Sequence, residues 1–409
     1  YTLKFWTWLI PASRILAMRA TEKWMDQELV DLRVEGLERT LVAYQNTGVE
    51  VRAGSQALLN FSSNDYLGLA RNPKVLAAVE AAVKRYGAGA TASRLVTGTL
   101  ACHEELEQQL AALKGYPAAL VFGSGYAANV GIICALMGRD DHIFIDRLAH
   151  ASLVDAAVLS RAKVHRFHHN DPEDLRRVIQ RCAATGRRLM VTESIFSMDG
   201  DVAPLKVLTD LAAEAGIMVL VDEAHATGVF GPDGAGVVRQ AGVEARVNCS
   251  MGTLSKALGG YGGFVACSGE MRRWLIHKAR SFIYSTALPP AMVGAAFGAL
   301  RCLRDNPGMG RQLLERAALF RARLRELGLN TGPSESQIIP VMVGDNARAV
   351  RLHRRLVEMG ILAVAIRPPT VPRGTARLRL SVSLEHSPQM LERVAGMIAG
   401  AAQLEGVIS

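Results

Sequence analysis

Between residues 118 and 268 the chain alternates short apolar runs with helical patterns, and that alternation restricts its fold more than any other feature. Strands are expected up to Phe122 and over 142–146, 163–167, 189–192, 217–221 and 264–268, with helices between most of them, including 151–160, 172–184 and 205–215. Strands separated by helices imply an α/β fold whose central sheet is mostly parallel and covered by helices on both faces. Ile217 to Val221 are five consecutive apolar residues, as a strand buried on both faces requires, and they stop at Asp222, Glu223 and His225. Such sheets bind ligands at the carboxyl ends of their strands. Gly125, His150, Ser197, Asp222, His225 and Lys256 all fall just after predicted strands, so reactive side chains collect along one edge.

Three chemistries compete for that edge. Asp-Glu-Ala-His at 222–225 is also a helicase box, but no Gly-Lys dipeptide exists to supply the phosphate loop such an enzyme needs. Gly123, Gly125 and Ala128 nearly match a dinucleotide fingerprint, with Asp146 about where a ribose-binding acid belongs, so an NAD-dependent dehydrogenase is a rival. That reading leaves Asp222 and Lys256 without roles. The third pairs Asp222 with Lys256, because a pyridoxal phosphate enzyme needs a carboxylate at the pyridine nitrogen and a lysine to bond the cofactor. Lys256 follows Thr253 and Ser255 and precedes a glycine-rich stretch, 259–263, where backbone passes close. The turn at Ser124 and Gly125 opens a helix whose N–H groups would face a phosphate.

His165, His168 and His169 resemble a metal cluster but lie in an alternating strand with no carboxylate at ligand spacing, so they read as a solvated face, and no metal is expected. Arg377 and Arg379 alternate with leucines and share one face of a strand, either a solvated edge or a carboxylate clamp. The opening 17 residues are apolar but broken by Lys4, Pro11 and Arg14 before reaching membrane-spanning length, and they are expected not to belong to the native protein. A helix is expected from Met25 to Leu41, carrying Arg33 and Arg39. Three parts follow: an arm and helix to residue 57, a large domain over 58–290 and a smaller α/β domain over 291–409. Six cysteines without paired spacing point to a reducing, cytoplasmic setting. The net charge of +9 could mean a nucleic-acid partner, but it is dispersed and lacks an aromatic-basic stripe; acidic substrates or an acidic carrier protein account for it as well, and no nucleic acid is expected.

The segments FSSNDYLGL, ASRLVTG, HEELE, FGSGYAAN, HASL, ESIFSMDGD, VDEAHATG, TLSKALGG and RPPTVPRGTARLRL stand in the order found in the α-oxoamine synthases. From about Arg39 onward the chain resembles that family of fold type I pyridoxal phosphate enzymes. The resemblance implies that Lys256 bonds the cofactor, Asp222 holds the pyridine nitrogen and His150 stacks on the ring. It places Gly125, Tyr126 and Thr253 on the phosphate side and gives Ser197 and His225 hydrogen bonds to the cofactor. Ser285 and Thr286 match a phosphate contact made from a neighbouring subunit, which implies a homodimer with shared sites. Arg379 matches the arginine for the substrate carboxylate, with Thr370, Asn64 and Arg39 as further substrate contacts. The last segment is closest to the branch that joins L-alanine to a pimeloyl thioester, carried on coenzyme A or acyl carrier protein. Sister branches use glycine or another amino acid.

Overall fold

The computed structural model describes residues 12–182 and 185–408, with side chains from residue 21 onward, so residues 1–11 of the apolar opening lie outside the described residues. The strands are β1 (Glu50–Ala53), β2 (Gln56–Asn60), β3 (Ala118–Phe122), β4 (His142–Asp146), β5 (Lys163–Phe167), β6 (Arg188–Glu193), β7 (Met218–Asp222), β8 (Cys249–Thr253), β9 (Gly263–Cys267), β10 (Ile338–Gly344), β11 (Ile361–Leu362), β12 (Val364–Ile366) and β13 (Ala376–Ser381). Seven of them form the central sheet in the order β3-β9-β8-β7-β6-β4-β5. The pairs β5/β4, β4/β6, β6/β7 and β7/β8 are parallel. β9 alone reverses, because only residues 254–262 separate it from β8, too few for the helical crossover that a parallel neighbour requires. Lys256 therefore sits in a loop between adjacent antiparallel strands.

The unbroken apolar runs follow from burial on both faces. In β7, Val219 and Val221 join one core cluster and Leu220 the other; in β6, Met190 faces one way and Leu189 and Val191 the opposite way. Two small sheets flank this core: β10-β13-β12, antiparallel throughout, and β1-β2-β11, in which β2 pairs with β11 in parallel. Among the described residues, no helix is long and apolar enough to cross a membrane.

Several sequence expectations are corrected. The helix expected over 25–41 spans Ala12–Val34. It ends because Gly36 takes φ +66° and the Leu37 N–H turns back to the Leu32 carbonyl, so Arg39 lies beyond the helix on exposed chain. The single strand near 361–366 is two, with β11 in one small sheet and β12 in the other. Arg377 and Arg379 are not on a solvated edge: β13 is the middle strand of its sheet and both side chains are buried. The three histidines do not form a solvated face either. His168 is exposed, but His169 lies between Asp146 (3.0 Å) and Asp201 (2.8 Å), and His165 turns toward His142 (2.9 Å).

Candidate active site

The carboxyl ends of β3, β6, β7 and β8 and the segment after β4 converge where the sequence placed its reactive residues. Lys256 Nζ lies 2.8 Å from His225 Nε2, and His225 Nδ1 lies 2.7 Å from the Tyr66 hydroxyl. Tyr66 is fully buried and also contacts Asn64 Oδ1 (3.0 Å) and Arg379 Nη2 (3.3 Å). Arg379 donates to the Ser197 carbonyl, to Ser381 Oγ (2.9 Å) and to Asn64 Oδ1 (3.3 Å). One hydrogen-bonded chain thus runs from Lys256 to Arg379. Burial pushes the Lys256 amine down to about 8, further lowered by Arg379, against the attraction of Asp222 and Glu193. Burial likewise holds His225 well below the ordinary histidine value, reinforced by the positive charges of Lys256 and Arg379, so it is neutral.

Asp222 ends β7 and is 4% exposed. Its Oδ2 accepts from Asn129 Nδ2 (2.8 Å) and its Oδ1 from the Ala224 N–H (2.8 Å). Asn129 Nδ2 also donates to Ser152 Oγ, which lies 2.8 Å from His150 Nδ1. Beside Asp222 on the paired strand stands Glu193, which burial and the Asp222 charge push well above the usual carboxylate range. Its Oε1 accepts the His150 backbone N–H at 2.7 Å. Among the described residues no lysine or arginine reaches Asp222 as an ion-pair partner. A buried carboxylate in that position calls for a cation.

The anion side is built at β3. The helix Gly125–Leu136 is capped by Ser124, whose hydroxyl takes the Ala127 N–H. The preceding N–H groups, of Gly125 and Tyr126, belong to the first turn and are left open at the helix end, and Thr253 lies 3.7 Å from where a Gly125 Cβ would stand. Gly263 must be glycine: a Cβ there would lie 2.4 Å from the Ser124 carbonyl oxygen. Thr253 Oγ1 is 2.7 Å from Ser255 Oγ and donates to the Gly262 carbonyl. A buried carboxylate without a cation, a lysine with a lowered pKa and an open helix N-terminus together fit a phosphorylated pyridine aldehyde, whose ring nitrogen, carbonyl and phosphate would meet them in turn.

The profile of the aminotransferase class I and II family matches residues 56–398. An 8-amino-7-oxononanoate synthase from Geobacter sulfurreducens is 48% identical over 93% of this chain and 98% of its own length. The chain belongs to the 8-amino-7-oxononanoate synthase family. The fold agrees. A serine palmitoyltransferase variant from S. paucimobilis, solved with a bound PLP-myriocin aldimine, is 32% identical with a TM-score of 0.90 over 95% of this chain and 99% of that one. The 8-amino-7-oxononanoate synthase of Francisella tularensis is 27% identical with a TM-score of 0.74, over 85% and 99%.

Within this synthase fold, Asp222, His225, Lys256, Arg379 and Asn64 form one hydrogen-bonded and electrostatic group, with His150 at its rim and Gly125 and Thr253 beside it. Ser197 borders a cavity of about 260 Å³ that Pro369 and Thr370 also line. Tyr126 is half-exposed and donates to Asp155 at 2.9 Å. Ser285 and Thr286 stand apart: Thr286 is exposed and bridges Ser93. Arg39 is exposed near Arg367, at the start of the segment that leads to Thr370. Asp146, the residue a dehydrogenase would need, is 1% exposed and committed to His169 and to the N–H groups of Leu148 and Asn170. Tyr66, Asn129 and Glu193 were missed. Tyr66 and Asn129 carry no charge, and each stands in a run of ordinary core and turn residues.

Proposed function

We propose that the protein condenses L-alanine with a pimeloyl thioester, releasing carbon dioxide and the free thiol and forming 8-amino-7-oxononanoate in biotin biosynthesis. The observation that carries this reading is the buried Asp222 carboxylate without a cation, set in one electrostatic group with the perturbed Lys256 amine. Pyridoxal phosphate, when bound, supplies the electron sink for a carbanion at the amino acid's α-carbon.

The chain's own groups then have distinct tasks. An amine pushed down to about 8 is partly unprotonated near neutral pH, so Lys256 can bond a carbonyl and, once released, take and return the α-proton. His225 is neutral and accepts at Nε2 from Lys256, which puts its proton on Nδ1, donated to Tyr66; Tyr66 in turn donates to Asn64. Asp222, held by Asn129 and the Ala224 N–H, would keep a proton on the pyridine nitrogen. The planar Arg379 fork suits alanine's carboxylate, and the cavity between Ser197 and Thr370 suits the acyl chain. His150 would cover the ring, and the Gly125 helix end with Thr253 would take the phosphate.

Ser285 and Thr286 are assigned to a neighbour's phosphate, which makes the working form a homodimer, in the cytoplasm. The carrier is coenzyme A or acyl carrier protein. The test is a matrix of amino acids against acyl thioesters with carbon dioxide and thiol release measured. Alanine with pimeloyl thioester should give the highest kcat/KM. A preference for glycine with acetyl or succinyl thioester would move the protein to a sister activity.

A further inference from the structure

At the opposite end of the sheet three metal-ligating side chains meet. His142 opens β4, His165 lies on the same face of the neighbouring edge strand β5, and Cys182 follows the helix Pro172–Gln180 that packs on that face. His142 Nδ1 is 2.9 Å from His165 Nε2 and 2.9 Å from Cys182 Sγ, and Sγ is 3.7 Å from His165 Nε2. A sulfur and an imidazole nitrogen at 2.9 Å are closer than a thiol hydrogen bond holds them. His142 is buried and its Nε2 has no hydrogen-bond partner among the described residues, so the ring's polar capacity is concentrated at the point where the three atoms converge.

We propose that His142, His165 and Cys182 bind a zinc-class divalent cation. Tetrahedral zinc, with bonds of about 2.0–2.1 Å to nitrogen and about 2.3 Å to sulfur, sets its ligand atoms roughly 3.3–3.6 Å apart. Opening the two short distances by about half an ångström, with a turn of each imidazole, reaches that geometry. On binding, the thiol proton leaves to the buffer, and the proton between the two imidazoles moves to an outer ring nitrogen. Both rings then present lone pairs, and water takes the fourth position. Lys163 and Arg188 oppose a bare cation, so the thiolate's negative charge is essential and imidazoles alone are insufficient. The site lies at the amino ends of the strands, away from Lys256, so its effect is to clamp the edge strand and the segment after the helix onto β4.

The test uses tag-free holoenzyme, stripped by dialysis against a chelator and titrated with zinc and with cobalt. The expected result is one ion per chain, a thiolate-to-cobalt charge-transfer band, proton release and a raised melting temperature. Cys182→Ser and His165→Gln should keep condensation activity, which shows that they fold, but bind zinc at least ~100-fold more weakly and lose the cobalt band. Substoichiometric binding by the wild type would overturn the site. Equal binding by the wild type and Cys182→Ser would overturn it too.

Discussion

Replacing Tyr66 with Phe isolates one hydroxyl at the centre of the site. The ring is fully buried and its packing is retained, so the change is confined to the hydroxyl's contacts with His225, Asn64, Arg379 and the Gln337 side chain. The 3.3 Å approach from Arg379 is long and worth little, and Asn64 Oδ1 keeps its contact with Arg379. The loss falls on His225 Nδ1, at 2.7 Å, which is left buried with a proton and no acceptor. One orphaned buried donor costs about 1–3 kcal/mol, a factor of about 5–150 in an equilibrium or a rate. His225 can escape by moving its proton to Nε2, where it would donate to Lys256 and favour the uncharged amine. Two results are expected in Tyr66→Phe: kcat/KM for alanine falls by about 10–100-fold, and the acid limb of the kcat profile governed by Lys256 moves to lower pH. Urea unfolding of the same variant measures how much of the cost appears as lost stability. Wild-type rates, an unmoved acid limb and unchanged stability together would refute the assigned tautomer and the role of Tyr66.

Asp222→Asn should retain pyridoxal phosphate but lose about 10²–10³-fold or more in kcat, by analogy with loss of one preorganised electrostatic group; near-normal turnover would remove Asp222 from its role. Lys114→Met should destabilise the fold by about 3–5 kcal/mol in urea melts, because it leaves Glu223 as a buried unpaired charge; both side chains are almost fully buried and 2.6 Å apart. Burial draws His169 down, but hydrogen bonds and charge from Asp146 and Asp201 outweigh it and raise the group to about 10. A raised folded pKa gives stability that is complete below about 6.5, the unfolded value, and lost as pH rises through about 10. The stability advantage of the wild type over His169→Asn should therefore shrink from pH 7 to pH 10, and a constant difference would contradict the assignment. Finally, Lys256→Ala and Thr286→Ala subunits, mixed and refolded, should regain activity through a hybrid site; no recovery despite subunit exchange would place each site within one chain.

The parts of this site legible in the sequence were those fixed by strand ends. A buried strand must finish in polar residues, and in a parallel sheet those ends lie on one edge, so Asp222, His225 and Lys256 could be grouped before any distance was known. Contacts made across long separations left no local trace. Tyr66 reaches His225 over 159 positions and Arg379 over 313, and Asn129 reaches Asp222 over 93. The misreading of His169 has the same origin. It was judged by spacing along its own segment, whereas Asp146 and Asp201 lie 23 and 32 positions away and come to it from other elements. Arg39 failed for a local reason: the apolar pattern continues past Gly36, but glycine with positive φ ends the helix.

The adjacent acids of 222–225 show why a motif read as letters misleads. Asp222 and Glu223 are neighbours at the end of β7, and alternation turns their side chains to opposite sides. Asp222 faces the site and lacks a cation. Glu223, fully buried, takes Lys114, the Ser250 hydroxyl and the Val238 N–H, and a Cβ at Gly236 would lie 2.4 Å from its carboxylate. It ties the helix Ala101–Lys114, β8 and the segment after β7 together beneath the loop that begins at Ala224. Asp222 remains a buried carboxylate without a cation on backbone that is fixed from the other side. The second acid of the pair thus immobilises the backbone of the first.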